Sequence, residues 1–438
     1  MRNSLTRRSF LGRGVAVGAG LTILKSGVLR GAAAPSNTLN IAAIGCAGRG
    51  RADINGVKSE NIVALCDVNE RNLASAAKTF PQAKTYTDWR KCLDQKDIDA
   101  VVCATCDHVH AFVNVWAMNR GKHVYCEKPL ANSVYEARAV REAYLKRKDK
   151  IATQMGTQIH ATENYRRVVE LVKQGAVGAP KEAHAFCSRM PEGGSYLPGT
   201  GVPEFIQWDL WLGPSPYHPF NDGYIKGGCL SWNRFWDFGS GQIGDMGSHV
   251  MDLAYWALDL RFPTSCEAQG PPLSPDTCPQ WLTAKWEHPA VGDRPPVTVY
   301  WYDGGKKPKM PSALFNEEKV FKGVFFKGDK GTLVTDYDYR ILLPSGDMTQ
   351  YRTPTKEQII PPSLGQHEEW IEGCKTGKPT LCNFDYSGAL VEHNLLALVA
   401  YRVGKKLQWD AENLRATNAP EADAFIRKTY REGWTLNG

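Results

Sequence analysis

The sequence predicts an α/β chain: a doubly wound parallel sheet in the N-terminal part, followed by an α+β domain with a largely antiparallel sheet. Three observations predict it. From Leu39 to Gly156 short apolar runs alternate with helix-compatible stretches, the pattern of β-α-β units. Beyond Gly156 strand-like runs follow one another with few helices between them. Finally, 438 residues at 42% hydrophobic exceed what one core holds, since cores stop growing at about 250 to 300 residues.

The chain opens with a segment that belongs to neither domain. Thr6-Arg7-Arg8-Ser9-Phe10-Leu11 precedes a weakly apolar stretch, Val15 to Leu24, and then the small residues Gly31 to Ala34. That stretch falls short of the roughly 20 residues needed to span a bilayer, so stable membrane insertion is not expected. The order basic, apolar, small is that of a secretory signal, and the arginine pair makes residues 1–34 resemble a twin-arginine signal. The expectation is a folded protein carried to the periplasm by the twin-arginine export machinery. Residues 1–34 hold six of the basic residues and no acid, so removing them takes the formal net charge from +7 to about +1. Such a mature chain is not basic enough for nucleic acid to be its partner.

The Rossmann-like part is expected over residues 38–156. Asn40 to Ile44, Asn61 to Cys66, Ala100 to Ala104, Lys122 to Cys126 and Lys150 to Thr153 read as strands covered on both faces. The second domain is expected over residues 157–438, its C-terminal helices packing back on the first. There Arg189 to Asp237, rich in Trp, Tyr, Gly and Pro, reads as ordered loops around a site. Gly241 to Leu258 fits one helix. Val297 to Tyr302 and Gly323 to Lys327 read as strands, and Gln366 to Cys374 and Ser387 to Val403 as helices. The twelve cysteines are few for the length and several lie in apolar runs, which favours buried thiols; Cys103-x-x-Cys106 has no second pair to complete a zinc site.

Gly45-Cys46-Ala47-Gly48-Arg49-Gly50 follows the first strand and opens a helix-compatible segment. A turn of small residues lets the backbone approach a pyrophosphate at a helix N-terminus. Ala47 stands at the usual second glycine of G-x-G-x-x-G, with Gly48 beside it. Asp67 lies 22 residues beyond Gly45 at the end of the second strand, where a carboxylate takes the adenine ribose hydroxyls. This is a dinucleotide-binding Rossmann pattern. The carboxylate favours NAD over NADP, although Arg71 is close by.

Thr105-Cys106-Asp107-His108-Val109-His110-Ala111, Cys126-Glu127-Lys128-Pro129-Leu130 and Gly244-Asp245-Met246-Gly247-Ser248-His249 resemble motifs of the Gfo/Idh/MocA oxidoreductases. Trp208 to Pro214, Trp232 to Asp237 and Tyr430 to Trp434 extend the resemblance over the mature chain, nearest to its exported branch. It implies Lys128, Asp245 and His249 as the catalytic set, with the Lys128–Pro129 peptide cis. Asp245 and His249 are also i and i+4, hence on one face of a helix. His249 is expected as general base and acid, Asp245 as the group orienting substrate or His249, and Lys128 as donor to the reacting oxygen. The cofactor contacts expected are Gly45, Ala47, Gly48, Arg49, Gly50, Asp67, Thr105, Asp107, His108, His110, Glu127 and Lys128. The two histidines are placed in a loop beside the nicotinamide ribose, and no metal is expected.

Thr157 and Gln158 match a family position near substrate. Tyr196, Trp208, Trp211, Tyr224, Trp232 and Trp236 surround the presumed cleft, and aromatic rings suit the C–H faces of sugars. Trp211, Trp236 and Arg234 are taken as substrate contacts. The function expected is hydride transfer between tightly bound NAD and a hydroxyl-bearing carbon of a sugar, cyclitol or polyol. Two alternatives stand beside it: an NAD-dependent glycosidase working by transient oxidation and elimination, and a non-catalytic NAD or sugar sensor. A homo-oligomer is expected.

Overall fold

The computed structural model describes residues 37–311, 320–343 and 359–437, of which Leu39 onward forms one compact unit. The predicted signal, residues 1–34, lies outside the described residues. Among the described residues no helix is long and apolar enough to cross a membrane.

The first half builds a parallel sheet. In chain order it comprises β1 (Asn40–Ile44), α1 (Arg49–Gly56), β2 (Asn61–Cys66), α2 (Glu70–Thr79), β3 (Lys84–Tyr86) and α3 (Trp89–Leu93). There follow β4 (Ala100–Cys103), α4 (Asp107–Asn119), β5 (His123–Cys126), α5 (Val134–Leu145) and β6 (Thr153–Met155). The strand order is β3-β2-β1-β4-β5-β6, all parallel, so the order reverses between β1 and β4. Ligands of open α/β sheets bind at the carboxyl ends of strands beside such a switch point. The central strands are buried on both faces, as continuous apolar runs require. Helix starts are fixed by short polar side chains: Asn69 accepts from the Arg71 and Asn72 amides, Asp88 from Arg90, and Ser133 from Glu136.

Two boundaries differ from expectation. Strand β3 has no apolar signal because it is a half-exposed sheet edge. The last strand begins at Thr153 instead of Lys150, since the amides of Lys150 and Ile151 close a turn onto the Arg147 carbonyl.

The second half begins with α6 (Glu163–Lys173) and β7 (Pro180–Cys187), then α7 (Trp208–Leu212), α8 (Cys229–Trp232), α9 (Gly241–Asp245) and α10 (Gly247–Ala257). Strands β8 (Ser265–Gln269), β9 (Thr283–His288), β10 (Val297–Asp303), β11 (Lys322–Gly328), β12 (Thr332–Thr335) and β13 (Arg340–Leu343) follow. The chain closes with α11 (Gln366–Thr376), α12 (Phe384–Val403), β14 (Leu407–Asp410), β15 (Arg415–Ala416) and α13 (Asp423–Ile426). The sheet order is β13-β12-β11-β7-β10-β9-β8-β14-β15, with β7 and β10 parallel and the other described pairs antiparallel. Strands β9 and β10 alternate buried and half-exposed residues, which gives the sheet one core-facing surface.

Helix α12 is apolar around nearly its whole circumference and buried accordingly. It packs on α5, where Arg138 makes a two-pronged pair with Glu392 at 2.9 and 2.8 Å. The single helix expected over Gly241 to Leu258 is broken at Met246 into α9 and α10.

Candidate active site

The glycine turn is tight for steric reasons. Gly45 has φ 90°, and a Cβ there would stand 2.3 Å from the Ala104 carbonyl oxygen; one on Gly50 would stand 2.1 Å from the Gly45 carbonyl oxygen. Over Gly48, φ 53°, the space is open, and no side chain caps α1. The first amides of α1 therefore remain as donors, with the positive end of the helix dipole behind them. Asp67 sits beside the turn, its carboxylate accepting from the Cys46 and Asn69 amides at 2.8 Å each. A carboxylate has about four acceptor positions, so two are left for ribose hydroxyls. Turn, open space and carboxylate fit a dinucleotide, with Gly45, Ala47, Gly48 and Gly50 at the pyrophosphate and Asp67 at the ribose.

Arg49 turns across the turn, donating from Nε to Glu127 at 3.0 Å and pairing through Nη2 with Asp53 at 3.1 Å. Asp53 also meets His367 of α11 at 3.1 Å, which ties a C-terminal helix to the cofactor turn. Burial pushes Glu127 up to about 7, with the Asp53 charge adding to it and Arg49 opposing. Gly156 is needed beside it, because a Cβ there would lie 2.3 Å from Glu127 Oε1. Thr105 is half-buried on the neighbouring loop, its hydroxyl turned to the Cys106 carbonyl. Burial raises Asp107 to about 7 against the pull of Lys128.

His108 and His110 are corrected by the structure. They lie in the first turn of α4 and not in a loop, and both are buried. The ring nitrogens of His108 face the Phe238 and Trp211 carbonyls at 3.2 and 2.8 Å; those of His110 face the Pro129 and Thr105 carbonyls at 2.6 and 3.1 Å. They pin the loops around the site and offer no nitrogen to a cofactor. A four-residue apolar spacing starting at Val109 was the signal for this helix.

The catalytic candidates converge. The Lys128–Pro129 peptide is cis. Lys128 Nζ donates to Asp245 Oδ1, and Arg189 Nη1 donates to the other oxygen, Oδ2, at 2.8 Å. Burial opposes charge on both partners, but their mutual attraction wins: the Asp245 carboxyl is held below its ordinary value and the Lys128 ammonium above its own. Asp245 therefore orients Lys128, and not His249 as the helical spacing suggests; the break at Met246 separates the two side chains' partners. His249 meets Thr157 instead, Nδ1 to Oγ1 at 3.1 Å. Its pKa is lowered to about 3 by burial first and the Lys128 ammonium second, so the ring is neutral at physiological pH.

Of the expected substrate contacts, only Gln158 remains half-buried with its side chain uncommitted, at the start of a 3₁₀ turn, Gln158–Ala161. Thr157 is fully buried and spends its hydroxyl on the protein. Trp211 stacks on Trp208 at 4.6 Å and contacts Phe238; Trp236 donates to the Ser274 carbonyl and lies under Arg402. Both are buried: Trp211 lies in the small apolar core that the Arg189 to Asp237 stretch, with only a few short helices, makes for itself, and Trp236 lies in the main core. Arg234 pairs with Glu192 at 2.5 Å and covers the Phe235 ring. Sequence reasoning missed Arg189, which follows β7 with no motif around it.

The oxidoreductase family's NAD-binding Rossmann model matches residues 39–155, and its C-terminal alpha/beta domain model matches residues 166–436. This chain belongs to the Gfo/Idh/MocA oxidoreductase family. Its Rossmann domain is therefore an NAD-binding one, in agreement with the turn and Asp67. This Gfo/Idh/MocA protein is 31% identical over 202 residues to a levoglucosan dehydrogenase of Pseudarthrobacter phenanthrenivorans, covering 44% of this chain and 42% of that one. It is 31% identical over 152 residues to an inositol 2-dehydrogenase of Salmonella typhimurium, covering 34% of this chain and 42% of that one. The matched region thus spans less than half the length of these relatives.

Among solved structures, the fold resembles the WlbA dehydrogenase from Bordetella pertussis in complex with NADH and UDP-GlcNAcA. There the TM-score is 0.60 at 14% identity, over 85% of this chain and 99% of that one. It also resembles levoglucosan dehydrogenase in complex with NADH and levoglucosan, with TM-score 0.55 at 17% identity over 84% and 99%. At these identities the likeness is one of fold.

Proposed function

We propose that this Gfo/Idh/MocA protein is an exported dehydrogenase that oxidises a secondary alcohol of a sugar, cyclitol or related polyol. The observation that carries the reading is the convergence of an ammonium held by Asp245, Lys128, and a neutral imidazole, His249, at the carboxyl edge of the NAD-binding sheet. Bound NAD supplies the hydride acceptor. Lys128 donates to the alcohol oxygen and holds it, stabilising the charge that develops as its proton leaves. His249 accepts that proton, which a neutral ring can do and an imidazolium cannot. Asp245 keeps Lys128 charged and aimed, and Arg189 holds the other oxygen of that carboxylate. The names of the sequence relatives, levoglucosan and inositol dehydrogenases, support a cyclic polyol as substrate. The arginine pair at Arg7 and Arg8 supports export in the folded state, which carries NAD out as a bound group.

The test is to purify the full chain without added nucleotide, measure its NAD content, and offer a panel of cyclitols, anhydrosugars, sugars and aryl glycosides while following nicotinamide fluorescence. The expected result is nucleotide bound on purification and NADH formed with at least one cyclic polyol. Release of aglycone without net NADH would replace this reading with transient oxidation and elimination. No nucleotide and no turnover would overturn it.

A further inference from the structure

A base needs its lone pair on the atom that faces the substrate, and a neutral imidazole carries one proton on one of two nitrogens. What sets that choice at His249 is visible two residues beyond the sixth parallel strand. The Thr157 hydroxyl lies 3.0 Å from the Ser248 carbonyl oxygen and 3.1 Å from His249 Nδ1. A carbonyl only accepts, so the single hydroxyl hydrogen is spent there, and the hydroxyl oxygen is left to accept from Nδ1–H. Thr157 and Ser248 are fully buried, so no water competes for these contacts. The other nitrogen, Nε2, makes no hydrogen bond among the described residues; around the ring, Lys128, Arg49 and Arg189 act against a further positive charge and Asp245 acts for it.

We propose that Thr157 is a positioning residue that fixes His249 in the Nδ1–H tautomer and so presents Nε2 as the proton acceptor of the reaction. This deepens the dehydrogenase reading and rests on it for the role of Nε2; the tautomer itself stands on the hydrogen-bond geometry alone. Thr157 touches neither substrate nor cofactor in this role. Its β-branched side chain suits it, because restricted χ1 freedom holds the hydroxyl between its two partners.

Two readouts test it on the full chain. The first is the ¹⁵N spectrum of histidine-labelled protein at neutral pH, with His249 assigned by the signal missing from His249→Asn. Expected is a protonated Nδ1 and a bare Nε2 in the native chain, and loss of that pure state in Thr157→Val, which keeps the shape and removes the hydroxyl. The second is steady-state kinetics. Thr157→Val is expected to lower kcat by roughly 10- to 1,000-fold, the scale of losing a correctly protonated base, with KM little changed. Thr157→Ser is expected to restore most of the rate. A native His249 protonated on Nε2, an unchanged kcat in Thr157→Val, or a Thr157→Ser as impaired as Thr157→Val would each overturn the proposal. Should no polyol be turned over, the dehydrogenase reading fails by itself, and the spectrum still decides the tautomer.

Discussion

Replacing His249 with alanine is expected to lower kcat by about 10²- to 10⁴-fold, the usual contribution of a positioned general base. The NAD content of the purified protein is expected to stay as it was, because the turn at Gly45 to Gly50 and Asp67 lie on other elements. The loss follows from the electrostatics of the site. Burial and the Lys128 ammonium keep His249 neutral, with its pKa lowered to about 3, so its proton-accepting site is not already occupied at any ordinary pH. Asp245 does not replace it, since both carboxylate oxygens are committed, one to Lys128 and one to Arg189. Steady-state rates and bound nucleotide, measured side by side, check this. A His249→Ala protein that keeps native kcat would remove His249 from the chemistry.

Replacing Asp245 with leucine is expected to damage both stability and activity. The side chains of Lys128 and Asp245 are 14% and 6% exposed, so their pair is nearly dry. Removing one partner of a buried pair leaves an uncompensated charge, at a cost of about 3 to 5 kcal/mol. Here two cations lose their common partner, although Arg189 is 35% exposed and can turn toward water, which places the expected loss near the lower bound. Lys128 would then lose both its anchor and the carboxylate that keeps it charged. Denaturant unfolding of Asp245→Leu should show the loss of stability, and the folded fraction should have a kcat well below native. Native stability together with native kcat would contradict the view that Asp245 organises Lys128.

The contrast between what could be read from the residues and what could not is physical. Strands such as Asn40 to Ile44 were legible because Ile41 to Ile44 are all apolar and buried, and the glycine turn because few residues but glycine fit against the Ala104 carbonyl. Lys128, Asp245 and His249 were legible as a set. Their partners were not. The i, i+4 spacing pointed Asp245 at His249, whereas the break at Met246 and the arrival of Arg189 from β7 give the carboxylate to two cations. No periodicity announces a residue that arrives from 56 positions away. The aromatic stretch misled for a related reason: Trp211 and Trp236 look like sugar platforms in sequence, but Trp211 fills the apolar core that long loops need to hold themselves together, and Trp236 fills the main core. His108 and His110 likewise looked like cofactor contacts and serve as struts between loops.

Hydride movement between a carbinol carbon and bound NAD can be followed by isotope transfer. A cyclic polyol that is turned over, carrying deuterium on its ring carbons, is incubated with the purified protein, and the nicotinamide is recovered for mass analysis. One deuterium is expected on the reduced ring in wild type, with a much slower transfer in His249→Ala. Turnover that leaves the nicotinamide without deuterium would contradict hydride movement at this site.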